Sequence, residues 1–171
     1  MQTPADDKTP YYRLNPDTVL QAVESTGRLS DGRQLALNSY ENRVYQVGLE
    51  DADPVVVKFY RPGRWSDQQI LEEHRFSLEL EAAEIPLIAP MVMDGETLFR
   101  FEGFRFALFR RQGGHAPELD NKETRRWLGR FIGRIHAVGR SANFAGRPAL
   151  TPQTYGKDSI QSLSEGRWIP A

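Results

Sequence analysis

One lysine, Lys58, stands inside the most apolar strand that the sequence predicts. The segment 55–60 has the sequence Val-Val-Val-Lys-Phe-Tyr, rich in the β-branched and aromatic residues that favour strands. Because side chains alternate across a strand, Lys58 shares one face with Val56, whereas Val57 and Phe59 share the other. An ammonium group is costly to bury unless an opposite charge pairs with it. Lys58 therefore either reaches water from an edge strand or is paired with a carboxylate.

The predicted helix after this strand offers two carboxylates, Glu72 and Glu73, as partners for the lysine. Phe76, Leu80 and Ala83 mark the inner face of that helix, and both glutamates lie about 50° from the middle of this stripe, on opposite sides. Periodicity does not choose between them, and each alone is typical of a solvated helix surface. A strand lysine paired with a glutamate of the next helix is the arrangement with which kinases fix the lysine on the α- and β-phosphates of ATP. This spacing therefore indicates phosphoryl transfer.

The turn before the second predicted strand is a candidate phosphate-covering loop. Residues 38–42 have the sequence Asn-Ser-Tyr-Glu-Asn and contain no glycine, which excludes a glycine-rich loop. Backbone N–H groups and the Ser39 hydroxyl could still contact phosphate oxygens. The alternative is a plain polar hairpin turn, because these residue types are common in turns generally.

A pair of glycines, Gly113 and Gly114, separates strand-like from helical composition. We expect the lobe boundary at this point, with the crossing segment 109–114 as a hinge. In kinases the backbone of the hinge binds adenine, and two glycines permit close approach and movement of the lobes. An ordinary interdomain turn is the alternative.

The elements that must position these residues are predicted from caps, turns and periodicity. Asn15 and Pro16 begin a first helix that stops near Gly27. Ser66 and Gln69 form a capping box for a second helix, which runs to about residue 83. The predicted strands are 34–38, 43–48, 55–60, 97–101 and 104–109, with Glu102-Gly103 as the tight turn of the last pair.

A third helix is predicted after the glycine pair. It begins with Asp120 as N-cap, pairs that cap with Glu123 in a capping-box pattern, and ends at Gly139. It carries an apolar side between residues 127 and 135 and a basic stripe of three arginines, which we interpret as a solvated face rather than a site for an acidic partner or nucleic acid. The basic stripe consists of Arg126, Arg130 and Arg134. Residues 141–171 show only loop signals and a weak helical pattern. The predicted fold class is α+β: a five-stranded antiparallel sheet plus a helix, followed by the start of a helical lobe.

The composition excludes several kinds of site. The chain contains no cysteine, which excludes disulfides and thiolate chemistry, and its three histidines are far apart in sequence. A formal net charge of -1 favours neither nucleic acid nor anionic lipid. A membrane-spanning helix needs about 20 apolar residues, and every apolar run in this sequence is much shorter. We therefore expect a cytoplasmic protein that binds neither nucleic acid nor membrane.

Several segments together resemble one known family. The matching segments are Leu37–Gln46, Val56–Pro62, Arg64-Trp65, Gln69–His74 and Leu128–His136. They are similar to the stress response kinase A family, bacterial serine/threonine protein kinases with an aminoglycoside-phosphotransferase-like fold. The resemblance implies a protein-kinase-like N-lobe over residues 13–112, after a flexible tail at 1–12, and the first part of a helical C-lobe over 113–171.

The resemblance also implies roles for individual positions. Lys58 would bind the phosphates of ATP, and Glu73 rather than Glu72 matches its partner. Ser39 and Asn42 would belong to the phosphate-covering loop. The implied nucleotide-binding positions are Ser39, Asn42, Val56, Lys58, Glu73, Phe109 and Arg111, the last two at the adenine hinge. The resemblance implies ATP and Mg²⁺ as the cofactors and a serine or threonine hydroxyl of a protein as the acceptor. It also implies that the enzyme is a monomer.

The sequence departs from the family pattern after Gly114. Only Asp120 and Asp158 follow, and no His-x-Asp segment occurs anywhere. Phosphoryl transfer needs a group that accepts the substrate proton and carboxylates that hold the metal. We expect these groups beyond residue 171, and we expect the 171-residue chain alone to be an inactive N-terminal portion of a kinase. A small-molecule phosphotransferase of the same fold and a non-catalytic nucleotide- or partner-binding module are the alternatives.

Overall fold

The computed structural model describes residues 10–166. These residues divide after Ser141 into two compact units. Of the predicted tail 1–12, residues 1–9 lie outside the described part, and residues 10–12 belong to a turn. None of the helices in the described range is both long and apolar enough to cross a membrane.

The first unit contains five antiparallel strands and three helices, which confirms the predicted α+β class and the predicted order of elements. The elements are α1 (Pro16–Glu24), β1 (Ser30–Leu37), β2 (Arg43–Leu49), β3 (Val55–Tyr60), α2 (Asp67–Ala82), β4 (Phe99–Phe101), β5 (Phe104–Arg110) and α3 (Lys122–Gly139). The strands lie in the order β1-β2-β3-β5-β4. The strand that carries Lys58 is therefore the middle one.

The second unit contains a π-helical segment, Gln153–Lys157, which continues directly into helix α4 (Asp158–Glu165). Asp158 lies in the first turn of α4, where its charge suits the helix dipole. The sequence showed only a weak helical pattern here, because no side-chain cap marks the beginning of either segment. The helix is thus more regular than its sequence signals indicate.

Local signals place the ends of the first two helices. The Asn15 side chain accepts a hydrogen bond from the backbone N–H of Thr18 at 2.8 Å, and Pro16 occupies the first helical position of α1. In α2 the Ser66 hydroxyl accepts from the Gln69 N–H, and the Gln69 side chain accepts from the Ser66 N–H. The predicted capping box is therefore present. Both caps depend on residues within one turn of each other, which is why the sequence predicts them.

The predicted N-cap of α3 is wrong by one residue. Asn121, not Asp120, is the cap, and its side-chain oxygen accepts from the N–H groups of Glu123 and Thr124 at 2.8 and 3.4 Å. The backbone carbonyl of Asp120 instead accepts from the Arg125 guanidinium at 2.8 Å. Asp and Asn cap helices equally well, so residue type does not separate two such neighbours. The direction in which the chain enters the helix decides between them.

Strand β1 begins earlier than predicted, at Ser30 rather than residue 34. Its pairing with β2 shifts between Ser30 and Gln34, and Gly32 in this interval has φ +80°. This irregularity interrupts the alternation that a strand prediction relies on. The tight turn Glu102-Gly103 is as predicted, and both residues have positive φ, 46° and 83°, as a type I′ hairpin turn requires.

The two faces of the sheet pack against different helices. Val19, Ala22 and Val23 of α1 pack on one face against a fully buried cluster from the central strands. That cluster includes Val47, Val57, Phe59, Phe106 and Leu108. On the other face Ile70 of α2 packs against Tyr60 and Ala107. Because Lys58 has the same parity as Tyr60, its side chain belongs to the α2 face.

Asp67, the first residue of α2, connects that helix to the β4–β5 hairpin. Its carboxylate pairs with Arg105 at 2.9 Å and also contacts Arg100. The Arg105 hydrogen bond, followed by the charge of Arg100, holds the pKa of Asp67 below its ordinary value of 3.8. Acidic residues also favour the positive N-terminal end of a helix. Asp67 thus fixes one end of α2 against the sheet.

We predict that Asp67→Asn lowers the free energy of unfolding at pH 7 by about 0.5–1 kcal/mol, the range for an exposed ion pair combined with a helix-terminal charge. Since the folded-state pKa is below the unfolded one, this stabilisation is present above about pH 4 and is lost as the pH falls through the folded-state pKa. Urea denaturation at pH 7 and at pH 2.5 should show a smaller difference from the wild type at pH 2.5 than at pH 7. The control is Asp17→Asn, another first-turn aspartate; an equal loss for both variants would contradict the ion-pair contribution.

Candidate functional site

Lys58 and Glu73 form an ion pair on the α2 face of the sheet. The Lys58 Nζ donates to the Glu73 Oε1 at 2.8 Å. The side chains are 22% and 35% exposed, so the pair lies at the surface of a cleft and not in the core. Lys58 is flanked by Val44 of β2 and Ala107 of β5. The interpretation of Lys58 as an edge-strand lysine is therefore wrong.

The structure separates the two glutamates that periodicity leaves equivalent. Glu73 pairs with Lys58, whereas Glu72 is buried, with 5% of its surface exposed. Consecutive helical residues differ by about 100° in direction, so the two glutamates lie on opposite sides of the apolar stripe and only one of them can face Lys58. The rotation of α2 is set by its contacts with the rest of the sheet, which no local pattern encodes.

The ring of Tyr60 supports the ammonium group from a second side. Tyr60 follows Lys58 by two residues on the same face of β3, and the Lys58 Nζ lies 4.6 Å from its ring centroid. A cation at this distance from an aromatic face is attracted by the negative face of the ring. The ammonium is thus positioned by a carboxylate from α2 and an aromatic ring from its own strand.

A cleft of about 350 Å³ opens next to the ion pair. Among the residues proposed from the sequence, the structure brings Val56, Lys58, Glu73 and Phe109 into its lining. Arg110 and Gln112, two further lining residues, belong to the predicted hinge 109–114. The lining residues that the sequence reasoning missed are Val44, Ser77 and Ile88. Val44 could have been found, because it pairs directly with Lys58 across the β2–β3 hairpin.

Arg111, proposed for the adenine hinge, does not line this cleft. Its neighbours Arg110 and Gln112 do, while Phe109 provides the apolar side chain at the end of β5. In the pairing of β5 with β3, Phe109 lies opposite Val56, which also lines the cleft, and Arg110 ends the strand opposite Val55. The role of Arg111 at the adenine hinge stays a prediction.

Ser39 and Asn42 do not line the cleft, and their polar groups make contacts within the protein. The Ser39 hydroxyl donates to the backbone carbonyl of Asn42 at 2.9 Å. The Asn42 side-chain oxygen accepts from the backbone N–H of Arg61 at 3.3 Å, at the end of β3. The loop between β1 and β2 is thereby closed on itself and attached to the segment that leads into α2.

Glu41 connects this loop to the segment that leads into α2 through two side-chain hydrogen bonds. One carboxylate oxygen accepts from the Trp65 indole N–H and the other from the Arg64 guanidinium, both at 3.0 Å. The Tyr11 hydroxyl donates to the Glu41 carbonyl at 3.2 Å, and burial raises the pKa of Tyr11 to about 12, so that it remains a donor. Sequence reasoning did not single out Glu41, because its partners lie more than twenty residues away.

Arg134 of the predicted basic stripe contacts the other end of α2. Its guanidinium donates to the backbone carbonyls of Ala83 and Glu84 at 3.3 and 2.9 Å. Carbonyls at the C-terminal end of a helix lack intrahelical partners and carry partial negative charge. Arg134 therefore joins α3 to α2 while it remains exposed to solvent, as the solvated-face interpretation predicts.

Comparison with known proteins identifies the family. Residues 33–163 match the phosphotransferase enzyme family, APH. The chain belongs to this family. It is 42% identical over 161 residues to stress response kinase A of Escherichia coli K12, covering 94% of this chain and 49% of the relative. It is 40% identical over 166 residues to the serine/threonine protein kinase RdoA of Salmonella typhimurium, covering 97% of this chain and 51% of the relative. The chain thus spans about half the length of the curated relatives it matches.

Two solved structures share the fold. One is the amicoumacin kinase hAmiN in complex with AMP-PNP, Ca²⁺ and Ami, with a TM-score of 0.65 and 20% identity over 88% of this chain and 48% of that one. The other is a microcompartment-associated aminopropanol kinase, with a TM-score of 0.64 and 18% identity over 86% and 48% of the two chains. Together with the five-stranded sheet, they confirm the protein-kinase-like fold.

We predict a favourable coupling between Glu41 and Trp65. Trp65→Phe removes the indole donor and Glu41→Ala removes its acceptor, so the double variant should be more stable than the sum of the single effects implies, by about 0.5–1.5 kcal/mol. Urea denaturation of the wild type, both single variants and the double variant measures this coupling. Trp65→Phe combined with Glu79→Ala is the control and should be additive, because about 20 Å of α2 separates these residues. Additivity in both cycles would show that the Glu41–Trp65 bond is energetically unimportant.

Proposed function

We propose that the protein to which this chain belongs is an ATP-dependent kinase that transfers the γ-phosphate to a serine or threonine hydroxyl of a protein. The observation that carries this proposal is the Lys58–Glu73 ion pair at 2.8 Å, placed at the wall of a mostly apolar cleft. The phosphotransferase family and relatives named as kinases support the general class of reaction.

The cleft has the two kinds of surface that a nucleotide needs. Val44, Val56, Ile88 and Phe109 provide an apolar lining that suits a flat base, while Lys58 provides a positive charge. Mostly apolar walls with a few placed polar groups are typical of cofactor sites. The proposed arrangement has adenine near the end of β5 and the phosphates toward Lys58.

Glu73 would fix the direction of the lysine without occupying all of its donors. An ammonium group carries three N–H donors, and Glu73 accepts one of them at 2.8 Å. Lys58 can therefore contact phosphate oxygens while the ion pair remains intact. Positioned charges of this kind contribute to phosphoryl transfer because they need no reorganisation when negative charge shifts in the transition state.

Residues 10–166 do not fit a metal site. No group of three or more His, Cys, Asp or Glu side chains in this range could hold a metal ion. Mg²⁺ as the cofactor, together with its ligands and a proton acceptor outside residues 10–166, forms part of the proposal.

The protein acceptor is favoured over a small molecule by the closeness of the relatives. The proteins named serine/threonine or stress response kinases are 40–42% identical to this chain. The kinases with the same fold whose names give small-molecule substrates are 18–20% identical. Because both structural neighbours are small-molecule kinases, an amino alcohol or antibiotic acceptor is the second candidate. We further propose that the enzyme is a cytoplasmic monomer.

We predict that Lys58→Met in the full-length gene product lowers kcat/KM for ATP at least about 100-fold, the scale seen when one transition-state donor is removed. Glu73→Gln should lower it about tenfold, or about 1.4 kcal/mol, because the lysine remains but loses its charged partner. Lys122→Met and Glu79→Gln are matched controls on the surface and should change kcat/KM less than twofold. ATP turnover is measured with labelled ATP, as the sum of labelled acceptor and labelled inorganic phosphate formed. Equal activity of Lys58→Met and Lys122→Met would exclude the proposed role of Lys58.

The acceptor class is tested by phosphorylation with radiolabelled ATP. We expect the wild-type full-length protein to label protein serine or threonine, detected by phosphoamino-acid analysis, and Lys58→Met to abolish that label. A parallel reaction with amino alcohols and aminoglycosides should give no labelled product. Label on small molecules alone would exclude the protein-kinase assignment and support the second candidate. No label on either class, with ATP binding intact, would indicate a non-catalytic nucleotide-binding module.

A further inference from the structure

Three buried polar side chains form a continuous hydrogen-bonded chain next to the ion pair. The Tyr60 hydroxyl lies 2.6 Å from the Nε2 of His74, and the Nδ1 of His74 lies 2.7 Å from the Thr97 hydroxyl. We call these residues the buried triad. Their exposures are 2%, 2% and 7%, so the whole connection is removed from water. The triad links the centre of the sheet through α2 to the segment before β4.

Burying the polar groups of the triad costs free energy unless each group is hydrogen-bonded. The triad is therefore stable in one geometry, in which its hydrogen bonds are made. A buried hydroxyl or imidazole destabilises the protein unless it is hydrogen-bonded. A neutral imidazole has one donor and one acceptor nitrogen, and hydroxyls can serve as either, so both histidine tautomers can be satisfied here. Apolar residues would fill the same volume without requiring one orientation of the helix. The triad thus favours one rotation and one position of α2 relative to β3.

This rotation is the property on which the Lys58–Glu73 pair depends. His74 follows Glu73 directly in α2, and Tyr60 lies on the same face of β3 as Lys58. The Lys58 Nζ contacts the Glu73 carboxylate at 2.8 Å and lies 4.6 Å from the Tyr60 ring centroid. Both supports of the ammonium are therefore joined by one bond, that between Tyr60 and His74.

We propose that His74 is a positioning residue for Lys58. It fixes the Tyr60 ring beneath the ammonium and fixes the rotation of α2 at which the Glu73 carboxylate reaches the lysine. Thr97 orients the imidazole from the other side. This inference rests on the proposed function in so far as Lys58 binds ATP, but the positioning itself is a property of the chain without nucleotide.

The test uses variants that remove one polar group and keep the volume. Tyr60→Phe and Thr97→Val each remove one hydroxyl of the triad. Tyr45→Phe is the matched control, because Tyr45 packs edge-on against Phe59 on the opposite face of the same sheet. All variants are compared in the full-length protein at a temperature at which thermal denaturation shows each to be folded.

The first measurement is the rate of reductive methylation of Lys58 without nucleotide, followed by mass spectrometry. A carboxylate in direct contact with the ammonium shields it from the reagent, so loss of the 2.8 Å pair with Glu73 should accelerate methylation. We expect Tyr60→Phe to react about threefold to tenfold faster at Lys58, which corresponds to about 0.7–1.4 kcal/mol. Lys122 is the internal reference and should react at the same rate in every variant. Tyr45→Phe should match the wild type.

The second measurement is kcat/KM for ATP, which should fall about tenfold in Tyr60→Phe and less in Thr97→Val. Two further variants separate the two hydrogen bonds of His74. A glutamine side chain places its amide near the position of Nε2 and keeps the link to Tyr60, whereas an asparagine reaches only the position of Nδ1 and keeps the link to Thr97. We expect His74→Gln to retain more activity and slower Lys58 methylation than His74→Asn. If His74 had a purely structural role, the activities and methylation rates of the two variants would differ only as their stabilities differ.

The outcomes separate this inference from the proposed function. If Tyr60→Phe and Tyr45→Phe give equal methylation of Lys58 and equal kcat/KM, or if His74→Gln is no better than His74→Asn at equal stability, the positioning role is excluded. If methylation of Lys58 accelerates in Tyr60→Phe while Lys58→Met leaves ATP turnover unchanged, the positioning role stands and the proposed function fails. Acceleration together with a loss of kcat/KM supports both.

Discussion

A positive charge in the middle strand of a five-stranded sheet must be compensated from outside that sheet. Lys58 lies between Val44 and Ala107, so neither neighbouring strand offers a carboxylate at its level. The partner therefore has to come from the helix that covers this face, and Glu73 reaches the lysine at 2.8 Å. A carboxylate can do this only if its helix is fixed in height, tilt and rotation. The ion pair thus makes the position of α2 the central requirement of the structure.

Separate contacts fix α2 at its two ends and along its middle. Asp67 pairs with Arg105 of β5 at the N-terminal end, and Arg134 of α3 donates to the carbonyls beyond the C-terminal end. Between them Ile70 packs on the sheet, and His74 bonds to Tyr60 and Thr97. Apolar packing alone is tolerant of small rotations, whereas hydrogen bonds with defined directions are not. The polar contacts therefore define the rotation that presents Glu73.

The loop between β1 and β2 is held in place by side-chain hydrogen bonds and contains no glycine. A glycine-rich loop can follow a ligand closely because its backbone is unhindered. Here side chains order the loop instead: Glu41 bonds to Arg64 and Trp65, and Asn42 bonds to the backbone of Arg61. The loop and the beginning of α2 are consequently one connected unit. A displacement of either would be transmitted to the other, and through α2 to the ion pair.

Much of the fold could be predicted because its signals are local. The Asn15 cap, the Ser66–Gln69 box and the Glu102-Gly103 turn each depend on residues within a few positions of one another. Predictions were wrong where two neighbours were chemically equivalent, as at Asp120 and Asn121, or where a bulge broke the alternation, as at the beginning of β1.

The sequence by itself determined that Lys58 shares a face with Val56 and opposes Val57, since alternation is a property of any strand. It also determined that a helix with two adjacent glutamates follows. Tertiary structure decided what periodicity leaves open: the strand is central, Glu73 faces the lysine, as the family resemblance implies, and Glu72 is buried. The physical reason is that Glu72 and Glu73 are symmetric about the apolar stripe of α2. Only contacts from distant segments, those of Arg105, Thr97 and Arg134, break that symmetry by fixing how the helix is rotated.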